Sequence, residues 1–597
     1  MSRTIRWIDT LVCLFSIVAC IEAKEISIQV SKDPNDWPMY NRDVVGTRCN
    51  FAETRLSPDN VPQLVEKWRF PPAGSTDKIG VVHSPVAVNG YIYFGTENSP
   101  AFFKLAPDGT VKWTYRYTKP RKIAPGLALF GLPASGFVSA ALVTDLTVFV
   151  GDIGGMVFAL DRATGAERWT LDTRTAPFPG AHASNCIFAS PIIANDMVIV
   201  AGGAYEHGVA AMPGNKGCTG RGFVLALSPD SGKVLWKYDV GPEAKPLVPP
   251  VRIKDDWGEH VFHMGPSTSS VWCTPSFDEA SQTIFFGTDC HNSPRQPTPD
   301  DPSLSTRHSC AVVALDARTG REKWVTQVNP GDVWNYAMRA YDPTAGRYKD
   351  QSIGDTPKIY SIDVTGAKTK VVGCGCKNGG FYVFDAGTGK LLANTPTYTG
   401  PPVHPPPQVD SRVLAFPGAI GGLQTGCATD GKAIYTNGID MLRLSTDAKP
   451  GRRLAPPTAG RVVSISLDAA LERWRHERPK VPAVGDANGK PMYTDVGDPV
   501  ASGIAIGNGV AYFTTTVSNK LVALDSRTGA MLKEISIGPV WSGPIVSRGR
   551  VYVGTGNQFF SPGSAQESYF PKSANGAVIS FGLPGEDEVS RMKRGSE

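Results

Sequence analysis

One phrase, written again and again along the chain, limits what the chain can fold into. It reads "VALDARTGREKW" at 313–324, "FALDRATGAERW" at 158–169, "LALSPDSGKVLW" at 225–236 and "VALDSRTGAMLK" at 522–533, and "YVFDAGTGKLLA" at 382–393 keeps the same rhythm. Each copy joins an apolar run to a polar residue, a turn holding Gly and a fresh run, often closed by Trp. Gly suits a turn position that needs positive φ. The glycines at 165, 232, 320, 389 and 529 stand 67, 88, 69 and 140 residues apart. The last gap is about double the others, so a worn copy is expected inside it. "ISLDAALERW" (465–474) takes that place without its Gly, and "KLAPDGTVKW" (104–113) is a further copy upstream, which makes seven.

Between the copies lie short alternating runs such as "GYIYFGT" (90–96), "MVIVAGG" (197–203), "TIFFGTD" (283–289) and "RVYVGTG" (550–556). Runs of this kind, punctuated by Gly, read as strands. A four-stranded unit that returns at about seventy residues predicts a propeller blade with long loops, and the chain length divided by that period gives roughly eight blades. The expected fold is therefore all-β, an eight-bladed β-propeller over residues 36–584. Its eighth blade is built from both ends, with a strand near Lys67–Phe70 beside Gly576–Phe581, which closes the ring without a free edge. A solenoid of the same repeats is the competing architecture, and it would need atypical capping repeats.

Bulk properties narrow the partners. Hydrophobic content of 41% and charged content of 19% fit a globule with a substantial core, and the net charge of +5 is mild. No basic stripe with interleaved aromatics is present, so nucleic acid is not an expected partner. Arg3 and Arg6 precede the apolar stretch Leu11–Ala19, which is too short to span a bilayer. Residues 1–23 read as a signal peptide cleaved after Ala23, residues 24–35 as a leader and residues 585–597 as a polar, disordered tail. The run Ile17-Val18-Ala19-Cys20 also matches a lipoprotein box that would lipidate Cys20. A plain secretory signal is preferred, because such short boxes match by accident. Both readings place the mature chain outside the cytoplasm, secreted or periplasmic, with no transmembrane segment. After cleavage nine cysteines remain, an odd number, with no Cys-x-x-Cys pair and no Cys-x-x-Cys-His haem motif.

The recurring Ala-Leu-Asp-x-x-Thr-Gly-x-x-x-Trp phrase resembles the tryptophan-docking repeat of the pyrroloquinoline quinone (PQQ) dehydrogenases. The entry segment, "DWPMYNRDVVGTRCNFAETRLSPDNVPQLVEKW" (36–68), resembles that family's opening, and the likeness runs from about Trp37 to Pro584. "GNKGCTGRGFVLALSPDSGKVLW" (214–236) and "GPSTSSVWCTPSFD" (265–278) look like the polyvinyl-alcohol dehydrogenase branch. The resemblance implies an exported quinoprotein that oxidises a secondary or polymeric alcohol by hydride transfer to PQQ, with calcium at the site. Lacking its own haem motif, such a chain would pass electrons to an external acceptor such as a cytochrome c or a quinone.

The same resemblance implies residue roles. Trp272 falls where the family has the ring beneath the quinone, and Lys377 where it has a cation over the quinone oxygens. Glu206 falls in the frame of the calcium-ligating Glu, and Asp289 where the second ligand is normally Asn. In "NPGDVWNYAM" (329–338) the family's catalytic Asp is replaced by Asn335, which completes the implied ligand set. An amide has no titratable proton and cannot be a general base. Three readings stay open: the base is Asp289, the base is Asp332, or the cradle persists without chemistry. Ala337 stands where lanthanide-dependent relatives carry an extra Asp, which favours calcium. Cys218 keeps one member of the branch's paired cysteines. His207 and His291 are unassigned, since strand alternation points neighbouring side chains apart. The competing functional class is a non-catalytic propeller that binds partners through Pro-rich loops at 292–308 and 398–410.

Overall fold

The computed structural model describes residues 28–97, 99–119, 121–128, 132–211, 214–255, 258–335, 350–398, 413–415, 421–444, 453–485, 491–557, 573 and 575–585. The signal peptide, Cys20, Ala337, the tail beyond 585 and most of the Pro-rich loop at 398–410 lie outside the described residues. Eight sheets, each an antiparallel meander of four strands at its core, follow one another along the chain. The fourth is representative: Ser276–Asp278, Thr283–Gly287, Ala311–Asp316 and Glu322–Gln327 pair in sequence order. This is the expected eight-bladed propeller. Two hairpins stand outside the blades, Lys245–Asp255 with Gly258–Gly265 and Val481–Gly485 with Pro491–Val496. No helix among the described residues is long and apolar enough to cross a membrane.

Ring closure is as expected. The strand Val65–Phe70 pairs antiparallel with Val578–Gly582, with Trp68 opposite Ser580, so the two chain ends complete one blade. Within a blade the inner strands are buried on both faces: Ala311 to Leu315 are inaccessible, whereas the outer strand Glu322–Gln327 is half exposed. Buried apolar side chains of neighbouring sheets, such as Phe149, Ile199 and Phe286, share one core and hold blade to blade.

The repeated phrase is the blade-to-blade clasp. In the fourth blade, Asp316 Oδ1 accepts the N–H groups of Arg318 (3.1 Å) and Thr319 (3.0 Å) and the Thr319 hydroxyl (2.8 Å). That Asp-led turn delivers Gly320 at φ +68°, where a Cβ would lie 2.5 Å from Trp236 Cε3. The preceding blade's Trp236 lies against this glycine and donates its indole N–H to Ala317 O at 3.1 Å. Trp68, Trp113, Trp169, Trp324 and Trp474 bond the same way to Pro107, Arg162, Pro229, Ala386 and Ser526 of the next repeat. Each such hydrogen bond contributes about 1 kcal/mol beyond the packing of the ring.

The worn copy obeys the same logic. The strand before it, Leu391–Pro396, carries no Trp, so no indole needs a glycine to lie against. Ala469 occupies the turn at φ +55°, left-handed without the residue that adopts this conformation most cheaply.

Candidate functional site

Blade corners meet around the axis and are stitched to one another by backbone hydrogen bonds. Val271 N–H donates to Gly202 O (3.3 Å), Asp289 N–H to Ser270 O (2.9 Å) and Ile353 N–H to Thr288 O (3.2 Å). Lys377 N–H donates to Ser352 O (3.0 Å) and Leu423 N–H to Cys376 O (3.0 Å). These corners are irregular backbone just past the ends of buried strands. They bring side chains from the third, fourth and fifth blades to one place.

An acidic pair and a lysine form its centre. Asp289, Asp350 and Lys377 are all buried, and Lys377 Nζ lies 2.9 Å from Asp350 Oδ1. The carboxylates of Asp289 and Asp350 and the thiol of Cys290 place ligand atoms within 4.8 Å of one another. Burial pushes the Asp350 carboxyl up, and the Asp289 charge adds to that against the pull of Lys377, leaving it at about 6. For Asp289, burial works upward too, but the His207 hydrogen bond, Lys377 and the Cys290 N–H hold it below the usual carboxylate range. Burial opposes the charge on Lys377, and Asp350 and Asp289 together more than offset it, so the ammonium is held protonated.

The other expected residues lie on corners and loops of the same blades. Glu206 is buried and accepts the Gly220 N–H at 2.7 Å, with His182 Nε2 3.7 Å from its other oxygen. Burial raises its carboxyl against the opposing pull of His182 and the N–H of Gly220. Glu206 belongs to neither cluster of converging ligand atoms among the described residues. Asn335 is fully buried and donates its amide to Asn292 O, while Asn292 Nδ2 returns a bond to Trp334 O at 2.9 Å. Asn335 thereby ties its loop to the loop that carries Asp289. Asp332 is also fully buried, and its Oδ2 accepts the Gln351 N–H (2.9 Å) and faces the Cys290 sulfur (3.4 Å). Trp272 is half buried and lies against Gly354, where a Cβ would fall 2.2 Å from its Cη2.

Three participants lay outside the expected set. Asp350 follows no motif spacing, and its backbone is strained at φ +59°, a conformation that non-glycine residues adopt mainly where surrounding structure holds them there. His207 was expected to point away from its neighbours by strand alternation. Instead its Nε2 lies 3.1 Å from Asp289 Oδ2, because the strand Met197–Ala204 has already ended and alternation no longer applies. Cys290, beside Asp289, faces Cys310. Only the run of Asp, Cys and His at 289–291 was visible as a signal in the sequence.

Comparison with known proteins gives the family of this ring. The model of the PQQ glucose/ethanol/alcohol dehydrogenase β-propeller domain matches residues 37–412, and the chain belongs to that family. Quinohemoprotein alcohol dehydrogenase ADH-IIG of Pseudomonas putida is 27% identical over 383 residues, covering 61% of this chain and 46% of its own. Polyvinylalcohol dehydrogenase of Sphingopyxis sp. (strain 113P3) is 27% identical over 449 residues, 74% of this chain and 60% of its own. The chain thus spans about half the length of the curated relatives it matches. Among solved structures, quinohemoprotein alcohol dehydrogenase from Comamonas testosteroni superimposes with a TM-score of 0.64 at 20% identity, over 93% of this chain and 81% of that one. A europium-containing methanol dehydrogenase gives 0.64 at 18% identity, over 92% and 99%. At these identities the superpositions show the fold.

The residues present fit the family's flat, acidic cofactor and a hard cation. The buried Lys377 ammonium pairs with Asp350 and is attracted by the buried Asp289, and the Trp272 indole lies against the Gly354 backbone. Ser352, whose carbonyl accepts the Lys377 N–H, and His207, which contacts Asp289, each also carry a buried side-chain atom (Oγ and Nδ1) without a hydrogen-bond partner, as do residues elsewhere in the protein.

Proposed function

We propose that the chain oxidises a secondary or polymeric alcohol with PQQ and calcium, outside the cytoplasm, and hands the electrons to a separate acceptor such as a cytochrome c or a quinone. The observation that carries this reading is the buried Asp289–Asp350–Lys377 cluster at the axis of a propeller of this family. Similarity to polyvinylalcohol dehydrogenase over 74% of the chain supports the polymeric or secondary alcohol. The leader with Arg3, Arg6 and the apolar stretch at 11–19 supports export.

Bound here, PQQ supplies the carbon that accepts a hydride and calcium supplies a Lewis acid. Glu206, Asp289 and Asn335 would hold the cation through hard oxygens, joined by Asp350. Lys377, paired with Asp350 through one N–H, would stabilise cofactor oxygens that gain negative charge during the reaction. Trp272 provides the flat face. Asp289 removes the hydroxyl proton: it stays ionised, and His207 Nε2 orients it at 3.1 Å. Asp332 is the second choice: its Oδ2 accepts the Gln351 N–H and faces the sulfurs of Cys290 and Cys310.

The test is a titration of the purified protein with PQQ and calcium, followed by dye reduction in the presence of secondary alcohols. Quinone absorbance that stays with the protein, with alcohol-dependent dye reduction, is the expected result. Bound quinone with no turnover would mean a cradle without chemistry. No bound quinone would make the chain a binding propeller.

A further inference from the structure

We infer that Cys290 and Cys310 form a disulfide that locks the Asp289 loop beside the axial cluster. Their sulfurs lie 2.6 Å apart, both residues being fully buried. Two non-bonded heavy atoms settle at about 3.5–4.0 Å, whereas bonded sulfurs stand at about 2.05 Å. The observed separation is far inside the contact distance. It is also shorter than two thiolates on one tetrahedral zinc, at about 2.3 Å each, which would stand about 3.8 Å apart. The group of Cys290, Cys310 and Asp332, which brings ligand atoms together within 4.8 Å, is therefore a cystine packed on a carboxylate.

Local backbone makes the pairing natural. The strands Thr283–Gly287 and Ala311–Asp316 pair with Gly287 opposite Val312. The ladder runs on past the strand ends, Thr288 N–H bonding Ala311 O (2.8 Å) and Cys310 N–H bonding Asp289 O (2.9 Å), so Cys310 arrives opposite Asp289 and diagonal to Cys290, and its left-handed backbone (φ +49°) breaks the alternation there. Other buried thiols behave differently: Cys186, Cys218 and Cys273 turn their sulfurs toward the carbonyls of Ser184, Glu206 and Gly287. The bond would staple the base of the Pro-rich loop at 291–309. It would also fix Cys290, whose N–H bonds Asp289 Oδ1 at 2.9 Å. Formation removes two protons and two electrons from the two thiols, and a disulfide donor takes them up and leaves as two thiols. The bond itself is independent of the proposed function, but its effect on turnover rests on the role given to Asp289.

The experiment folds the protein with oxidised glutathione, alkylates it under denaturing, non-reducing conditions and maps its peptides by mass spectrometry. A peptide joining Cys290 to Cys310, lost on reduction, is expected, with the other seven of the nine described cysteines alkylated. Full alkylation of Cys290 and Cys310 without a linked peptide overturns the proposal. Melting supplies a second arm. Reductant should lower the midpoint of the wild-type protein by several degrees and leave that of a Cys290→Ala/Cys310→Ala variant unmoved, whereas an equal fall in both overturns the staple. A linked peptide whose reduction leaves turnover intact would keep the disulfide and remove its link to Asp289.

Discussion

Trp236 and Trp324 sit on the outer strands of successive blades and do the same thing, whereas Asp289 and Lys377, at the corners of successive blades, do different things. Both outer indoles give one N–H to a carbonyl of the next repeat, at 3.1 and 3.0 Å, and lie on a left-handed glycine. The corner residues share only a backbone pattern, each linked to its neighbour around the axis, and their side chains diverge into a carboxylate paired with His207 and an ammonium paired with Asp350. The outer clasp is a local solution applied many times. The centre is assembled once, from loops with no common phrase.

The most severe test of that division is Asp289→Asn. If the centre is functional rather than structural, turnover should fall by about 10²–10⁴-fold, with the thermal midpoint little changed. Retained turnover would move the base to another carboxylate, and a large drop in stability would put Asp289 among the structural residues.

Next comes a pair of tryptophans from the two regions. Trp324→Ala removes a docked indole and should destabilise the fold by about 2–3 kcal/mol, less than for a fully buried ring, leaving PQQ affinity intact. Trp272→Ala should do the reverse, weakening PQQ by roughly 1 kcal/mol or more of lost stacking with a smaller shift in melting. Equal behaviour of the two variants would erase the distinction between clasp and centre.

The clasp was legible in the sequence because each copy meets the same need: an Asp to shape the turn, a Gly beside an indole, and a Trp to dock. Ring closure followed from repeat length and the two end strands. Trp272, Lys377, Glu206 and Asp289 were singled out only through likeness to a family. Asp350 was not, because its contact with Lys377 joins two loops whose spacing obeys no period. His207 was misjudged because alternation was carried past the end of its strand. The facing of Cys290 and Cys310 depends on register two residues beyond a ladder, which no pattern of residue types reveals.

A corner residue outside the acidic cluster sharpens the contrast through pH. His83 is buried just before the strand Val86–Val88, and burial pushes its imidazole down to about 4, against the pull of the Ser84 and Gly95 carbonyls. The unfolded chain, with an ordinary value of about 6.5, binds more protons than the folded one between these limits. Stability is therefore full above about pH 6.5 and falls as pH drops toward 4, by at most about 1.4 kcal/mol per pH unit from this residue. Urea midpoints at pH 7 and 4.5, for the wild-type protein and for His83→Gln, measure the difference. The variant should lose less on acidification, and equal losses would show that His83 is not held neutral.

The smallest effect expected tests the clasp where it is worn. Ala469 holds φ +55° in the turn of the sixth blade, where six other repeats place a glycine against a docked indole. A left-handed residue with a Cβ costs about 1–2 kcal/mol, while glycine gives back part of that through the greater freedom of the unfolded chain. Ala469→Gly should therefore stabilise the protein by about 0.5–1 kcal/mol, a shift readable in the denaturant midpoint. The sign is what matters. A gain would mean that glycine serves the turn itself and was lost here at a cost. A loss would mean that glycine serves the indole, and that with no Trp on the strand Leu391–Pro396 the alanine methyl packs better than empty space.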